Sequence, residues 1–149
     1  MIYLGADHRG FDLKAKICKW LAGRGYEFED VGAFEYDHDD DYFDYAFQVA
    51  EKISHNPNLN RGIVICASGV GVDIVANRFD GVRCGLGFAE DQVHAARRDD
   101  DINVLALPAD NCDEELATKL AEKFLETSFS SSDRYLRRLE KLKRFEKSL

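Results

Sequence analysis

Gly62-Ile63-Val64-Ile65-Cys66-Ala67-Ser68-Gly69-Val70-Gly71 is the stretch on which the architecture turns. Its first half is a continuous apolar run, the pattern of a central parallel strand buried on both faces. Its second half is a turn, which leads into a helix expected over residues 73–78. Working outward, residues 1–6 read as a strand. Residues 13–21 read as a helix with Leu13, Ile17, Trp20 and Leu21 on one face, ended by Gly23 and Gly25. Strands follow at 26–31, 82–88 and 102–107, with helices at 45–53, 92–98, 114–125 and 135–145. Strand–helix alternation of this kind predicts an α/β, three-layer Rossmann-like fold. The sheet has about five parallel strands, with helices on both faces and a C-terminal helix.

Size and composition agree with one folded unit. The chain has 149 residues, 45% of them hydrophobic, enough for a sizeable core. It has only two prolines, no repeat and no linker, so residues 1–149 are expected to form one domain. The net charge of −8 argues against nucleic acid or an anionic membrane as the main partner. No apolar run approaches the roughly 20 residues of a membrane span. The amino end opens directly on Met1-Ile2-Tyr3-Leu4, without a basic lead, so a cytoplasmic location is expected. Cys18, Cys66, Cys84 and Cys112 form no CxxC pair and no zinc-like spacing, so they read as reduced thiols.

In such folds ligands sit beyond the carboxyl ends of the strands. Two loops there carry chemistry. In 66–71, glycines allow a tight turn that brings several amide N–H groups to an anion, either a phosphate or an enediolate oxygen. A thiol at its edge, Cys66, could take a proton, or could simply be the last buried residue of its strand. The loop is a poor dinucleotide fingerprint, because Val72-Asp73-Ile74 supplies no third glycine, and the Walker pattern is absent. Asp73 belongs to the first helical turn. After the first strand, Asp7-His8-Arg9-Gly10 offers either a turn or a ligand site, in which His8 could meet a phosphate or orient a hydroxyl. The acidic run Asp37-His38-Asp39-Asp40-Asp41 fails the calcium-loop test, with Tyr42 and Gln48 where Gly and Glu are required, and reads as a solvated loop. In the basic tail, Arg134 and Arg138 are four apart on one helix face. They could clamp one phosphate together, the local positive charge that an acidic phosphate-binding protein needs.

These pieces in this order resemble the type B ribose-5-phosphate isomerase and galactose-6-phosphate isomerase subunit family. The resemblance rests on Gly5 to Phe11, Asp41-Tyr42, Gly62 to Cys66, Ser68 to Gly71, Ala76-Asn77, Asn103 to Ala106, and Arg134 with Arg138. It implies aldose–ketose isomerisation through an enediolate, with no metal and no organic cofactor. Carried over residue by residue, Cys66 is the base and Ser68, where the family has Thr, bonds the reacting oxygens. Gly69 and Gly71 stabilise the enediolate. Asp7 and Tyr42 hold hydroxyls, and His8, Arg134 and Arg138 hold the phosphate. Some relatives carry a Glu base where Val72 stands, so Cys66 remains the candidate. The family forms dimers, sometimes tetramers, with sites shared between subunits, so a homodimer is expected.

Three positions depart from that pattern. Asp99-Asp100-Asp101 stands in place of His-Asn-Asp, which puts Asp99 where the family has its ring-opening histidine and Asp100 beside the substrate. An aspartate at its ordinary pKa is a poor acid at neutral pH. Asp110 replaces a phosphate-binding Arg, and Phe43 replaces a proline. Three explanations stand open: a carboxyl kept protonated by its acidic neighbours, a substrate such as a four-carbon sugar phosphate that needs no ring opening, or a member that binds sugar phosphate without catalysis or supports a partner subunit.

Overall fold

The computed structural model describes all 149 residues. In chain order the elements are β1 (Ile2–Ala6), α1 (Phe11–Gly23), β2 (Phe28–Asp30), α2 (Tyr42–His55), β3 (Arg61–Cys66), α3 (Val70–Ala76), β4 (Cys84–Leu86), α4 (Glu90–Asp100), β5 (Val104–Pro108), α5 (Glu114–Glu126) and α6 (Asp133–Ser148). The five strands form one sheet in the order β2-β1-β3-β5-β4, and every pairing is parallel. The expected α/β architecture is the observed one. Boundaries move by up to three residues, and the change that matters for the loop after β3 is α3, which starts at Val70 rather than at residue 73. Gly69 supports that early start with φ +73, a left-handed value that costs glycine little.

Side-chain parity along β3 builds two cores. Ile63 and Ile65 face α1, α4 and α5, where they pack with Leu13, Ile17, Leu105, Leu120 and Phe124. Val64 and Cys66 face α2 and α3, where they meet Ala46, Val49, Val72 and Ala106. α2 buries Ala46, Val49, Ala50 and Ile53, the i, i+3, i+4, i+7 stripe of a helix covering a sheet. α5 repeats the stripe with Ala117, Leu120, Ala121 and Phe124, and Asp113 caps it by accepting from the Leu116 N–H at 2.8 Å. Each fully buried Leu, Ile or Phe in these stripes contributes about 2 kcal/mol by removal from water.

A buried ion pair ties α1 to the end of β2. The Lys14 ammonium donates to both Asp30 oxygens, at 2.5 and 2.7 Å, and to the Ala33 carbonyl at 2.8 Å. Lys14 is nearly inaccessible, whereas Asp30 is about one-third exposed. Lys14→Met keeps the volume but leaves Asp30, which still reaches water, without its main partner. It should cost about 1–2 kcal/mol, less than a fully buried pair would, read as a lower urea midpoint at unchanged slope.

α6 crosses the amino ends of β3, β4 and β5. Leu136, Leu139 and Leu142 line a cleft of about 430 Å³ with Pro57, Gly81 and Arg83. None of its residues is buried. No helix is long and apolar enough to cross a membrane.

Candidate active site

Strand order reverses between β1 and β3: the chain leaves β1 toward β2 on one side and returns through β3 on the other. The loops beyond these two carboxyl ends therefore flank a crevice. The β1 loop packs tightly on β3. The Asp7 N–H donates to the Ile65 carbonyl, and a Cβ on Gly10 would lie 2.9 Å from that same oxygen.

Asp7 is buried, and its Oδ1 accepts from the Arg9 and Gly10 N–H groups at 3.0 and 3.2 Å. Oδ2 has no protein partner. Burial raises the Asp7 pKa above the ordinary carboxylate value, against the pull of those two hydrogen bonds. His8 is held by Asp40: its backbone N–H donates to Asp40 Oδ1 at 3.0 Å, and its ring Nδ1 lies 2.7 Å from the same oxygen. Nε2 is left without a protein partner, so the pairing aims the far side of the ring at a ligand.

Asp40 corrects the reading of the acidic run. Asp37, His38 and Asp39 are exposed as expected, but the Asp40 side chain is only 7% exposed. Burial pushes its pKa up, yet the bonds from the His8 backbone and ring, with the nearby Tyr45 hydroxyl, outweigh it and hold the carboxyl below its ordinary value. Tyr45 is pushed up to about 12, first by burial and then by Asp40. Asp40 Oδ2 is buried and unpartnered. Asp7, His8 and Asp40 bring their donor atoms within 4.8 Å of one another.

Beyond β3, Cys66 is the last strand residue and is 4% exposed. Parity turns it to the α2/α3 side. Ser68 Oγ accepts from the Val70 N–H at 3.2 Å. Tyr42 begins α2, and its ring lies directly against the loop: a Cβ on Gly71 would sit 2.7 Å from Tyr42 Cζ. Gly69 is equally confined, with Leu86 and the Leu107–Pro108 backbone where its Cβ would go. Asp7, His8, Tyr42, Cys66, Ser68, Gly69 and Gly71 thus gather at one end of the sheet.

Asp99, Asp100, Arg134 and Arg138 do not join them. α4 ends at the opposite edge, and Asp100 and Arg138 share a cleft of about 440 Å³ with Asn77 and Cys84. A five-residue strand separates the two ends by roughly 15 Å. Arg134 and Arg138 are exposed on α6. Asp99 takes two bonds from the Arg98 guanidinium, at 2.6 and 3.0 Å. Those bonds hold its pKa below the ordinary value. At Asp99 the Arg98 guanidinium thus works against the protonated form that a ring-opening acid would need. Asp110 is ion-paired with Arg9, at 2.7 Å from Nη2 to both oxygens. Sequence reading overlooked Arg9, Asp40 and the Arg98 pairing.

A doubly wound α/β protein with a thiol, a hydroxyl and glycine amides beside a carboxylate–histidine loop at its switch point belongs among small-molecule enzymes of the Rossmann-like class. Comparison is more specific. The chain belongs to the Ribose/Galactose Isomerase family, whose pattern matches residues 2–142. The probable ribose-5-phosphate isomerase B of Mycoplasma genitalium is 36% identical over 146 residues, covering 98% of this chain and 95% of that one. The crystal structure of ribose-5-phosphate isomerase B from M. genitalium with bound ribulose-5-phosphate superposes with a TM-score of 0.96, covering 99% of this chain and 97% of that one at 36% identity. A 4-deoxy-4-sulfo-D-erythrose isomerase from Clostridium sp. MSTE9 is 33% identical over 131 residues, covering 88% of this chain and 82% of that protein.

Proposed function

We propose that this chain interconverts the aldose and ketose forms of a small sugar phosphate, ribose 5-phosphate and ribulose 5-phosphate or a close relative. It would act in the cytoplasm, as one catalytic unit over residues 1–149. The observation that carries this reading is the gathering of Cys66, Ser68, Asp7, His8 and Tyr42 around the β1–β3 crevice of a chain in this family. In the proposed cycle, Cys66 as thiolate takes the proton from the carbon beside the carbonyl. The electron pair moves to oxygen, giving an enediolate stabilised by the loop amides at Gly69 and Gly71. Ser68 bonds the two oxygens as their proton changes place, and Cys66 returns its proton to the neighbouring carbon. Asp7 and Tyr42 hold hydroxyls.

One chain does not complete this site, because Arg134 and Arg138 sit at the far end of the sheet. We assign them, with Asp100, to the site of a second copy in a homodimer. Exposed apolar side chains support such pairing. Phe43, Phe47, Val70 and Ile74 stand out from α2 and α3 at the catalytic end, and Leu136, Leu142 and Phe145 from α6. His8, Arg134 and Arg138 would then close on one phosphate.

The ion-paired Asp99 favours a second reading of the substrate. A partner's Asp99 held as carboxylate cannot donate the proton that opens a furanose. A four-carbon sugar with its anion on the terminal carbon forms no such ring, and the Clostridium relative is named for one. Assay against four-, five- and six-carbon aldose phosphates separates the readings. Turnover of ribose 5-phosphate supports the first, and turnover confined to erythrose 4-phosphate the second. Inactivity on all of them, with phosphate still bound, would leave a non-catalytic binder.

A further inference from the structure

We infer that Arg9 is the cation with which the catalytic subunit itself holds the substrate's anionic group, and that Asp110 is the anchor that aims it. This rests on the isomerase reading above and names a binding residue in that same site.

An acidic protein that takes an anionic substrate must concentrate positive charge where the anion lies. Several other cations of the chain are engaged away from the crevice. Lys14 is buried on Asp30. Arg83 and Arg97 share Asp101, and Arg98 holds Asp99, all at the amino end of the sheet. Lys16 and Lys52 lie on the outer faces of α1 and α2, near Glu114 and Glu29. Arg9 is the one guanidinium on a loop beyond the carboxyl ends of β1 and β3. It adjoins His8, and its own backbone N–H is bound to Asp7.

Its side chain is fixed from the other flank of the crevice. The Asp110 N–H donates to the Ala67 carbonyl at 3.0 Å, which seats Asp110 beside the thiol loop. The Asp110 carboxylate then takes both of its bonds from Arg9 Nη2. The guanidinium therefore spans from the β1 loop to the segment after β5, over the tip of β3. One nitrogen is used; Nε and Nη1 have no protein partner, and the side chain is about half exposed. An ion pair that exposed contributes little to stability. What it does is restrict a four-torsion side chain to one pose over the tip of β3 with two donor nitrogens still unpaired, so less rotamer freedom is lost when a ligand arrives. The planar fork then matches two oxygens of a phosphoryl or sulfonyl group.

The test uses the full-length protein, with inorganic phosphate as probe and ribose 5-phosphate and erythrose 4-phosphate as substrates. Arg9→Gln should weaken phosphate binding, read by titration calorimetry or ³¹P NMR, by about tenfold or more. It should raise KM for the accepted sugar phosphate by a similar factor. Arg9→Lys, which keeps the charge and loses the fork, should fall between. In the Asp110→Asn background, Arg9→Gln should cost less than it does alone, because the guanidinium has already lost its anchor. Unchanged phosphate affinity in Arg9→Gln, additive effects in the double variant, or no phosphate binding by the unaltered protein would each overturn the assignment. Arg9-dependent phosphate binding without turnover of any sugar phosphate would sink the isomerase reading and leave Arg9 standing.

Discussion

Cys66→Ala should abolish sugar-phosphate isomerisation while leaving the fold in place. Loss of a positioned general base costs about 10²- to 10⁴-fold, and the residues of the same loop offer no substitute. Val72 follows the second glycine where a carboxylate would be needed, and Ser68 is bound to the Val70 N–H. The structural cost is small. Cys66 is packed among Ala46, Val72 and Ala106, and removing one sulfur from such a site costs about 1 kcal/mol. The check is twofold: exchange of the substrate's C2 proton with solvent deuterium, followed by NMR, and a thermal melt. A variant that melts slightly low and exchanges no proton is expected. One that exchanges at the unaltered rate removes Cys66 from the chemistry.

The second large effect concerns two inactive proteins mixed together. Cys66→Ala lacks the proposed base, and the double variant Arg134→Ala/Arg138→Ala lacks the proposed phosphate clamp. Each alone should be nearly inactive. If every site joins the β1–β3 crevice of one subunit to α6 of its partner, a mixed dimer holds one site with both defects and one with neither. Random pairing makes half of the dimers mixed, so activity should return to about a quarter of the unaltered level on refolding or co-expression. If thiol and guanidiniums served within one chain, no mixed dimer would carry an intact site and the mixture would stay inactive. Two equally inactive parents thus give opposite outcomes from geometry alone. The geometry in question is the placement of Cys66 and Arg138 at opposite ends of a five-stranded sheet.

Much of this was open to reading in one dimension, because the signals are local. The run 62–66 announced a central strand by apolar continuity, and Ser68 to Gly71 announced the turn by its glycines. The two loops beyond β1 and β3 followed from element order alone. Asp40 was misread because its neighbours Asp37, His38 and Asp39 are solvated and look the same in sequence. Its partner His8 is 32 positions away, and only folding makes one aspartate of the run an inward acceptor. Arg9 and Asp110, 101 positions apart, are invisible to any window.

The strands, the helices, their parallel arrangement and the family were settled by residue order, since periodicity and turn chemistry act over a few residues and survive without knowledge of distant contacts. Which carboxylates are shielded, which are tied to guanidiniums, and which end of the sheet each cation occupies were settled only in three dimensions. Charge interactions fall off with distance through space, not along the chain. Asp99 shows the difference: its position in the sequence suggested an acid, and the guanidinium of Arg98 makes it a base already satisfied.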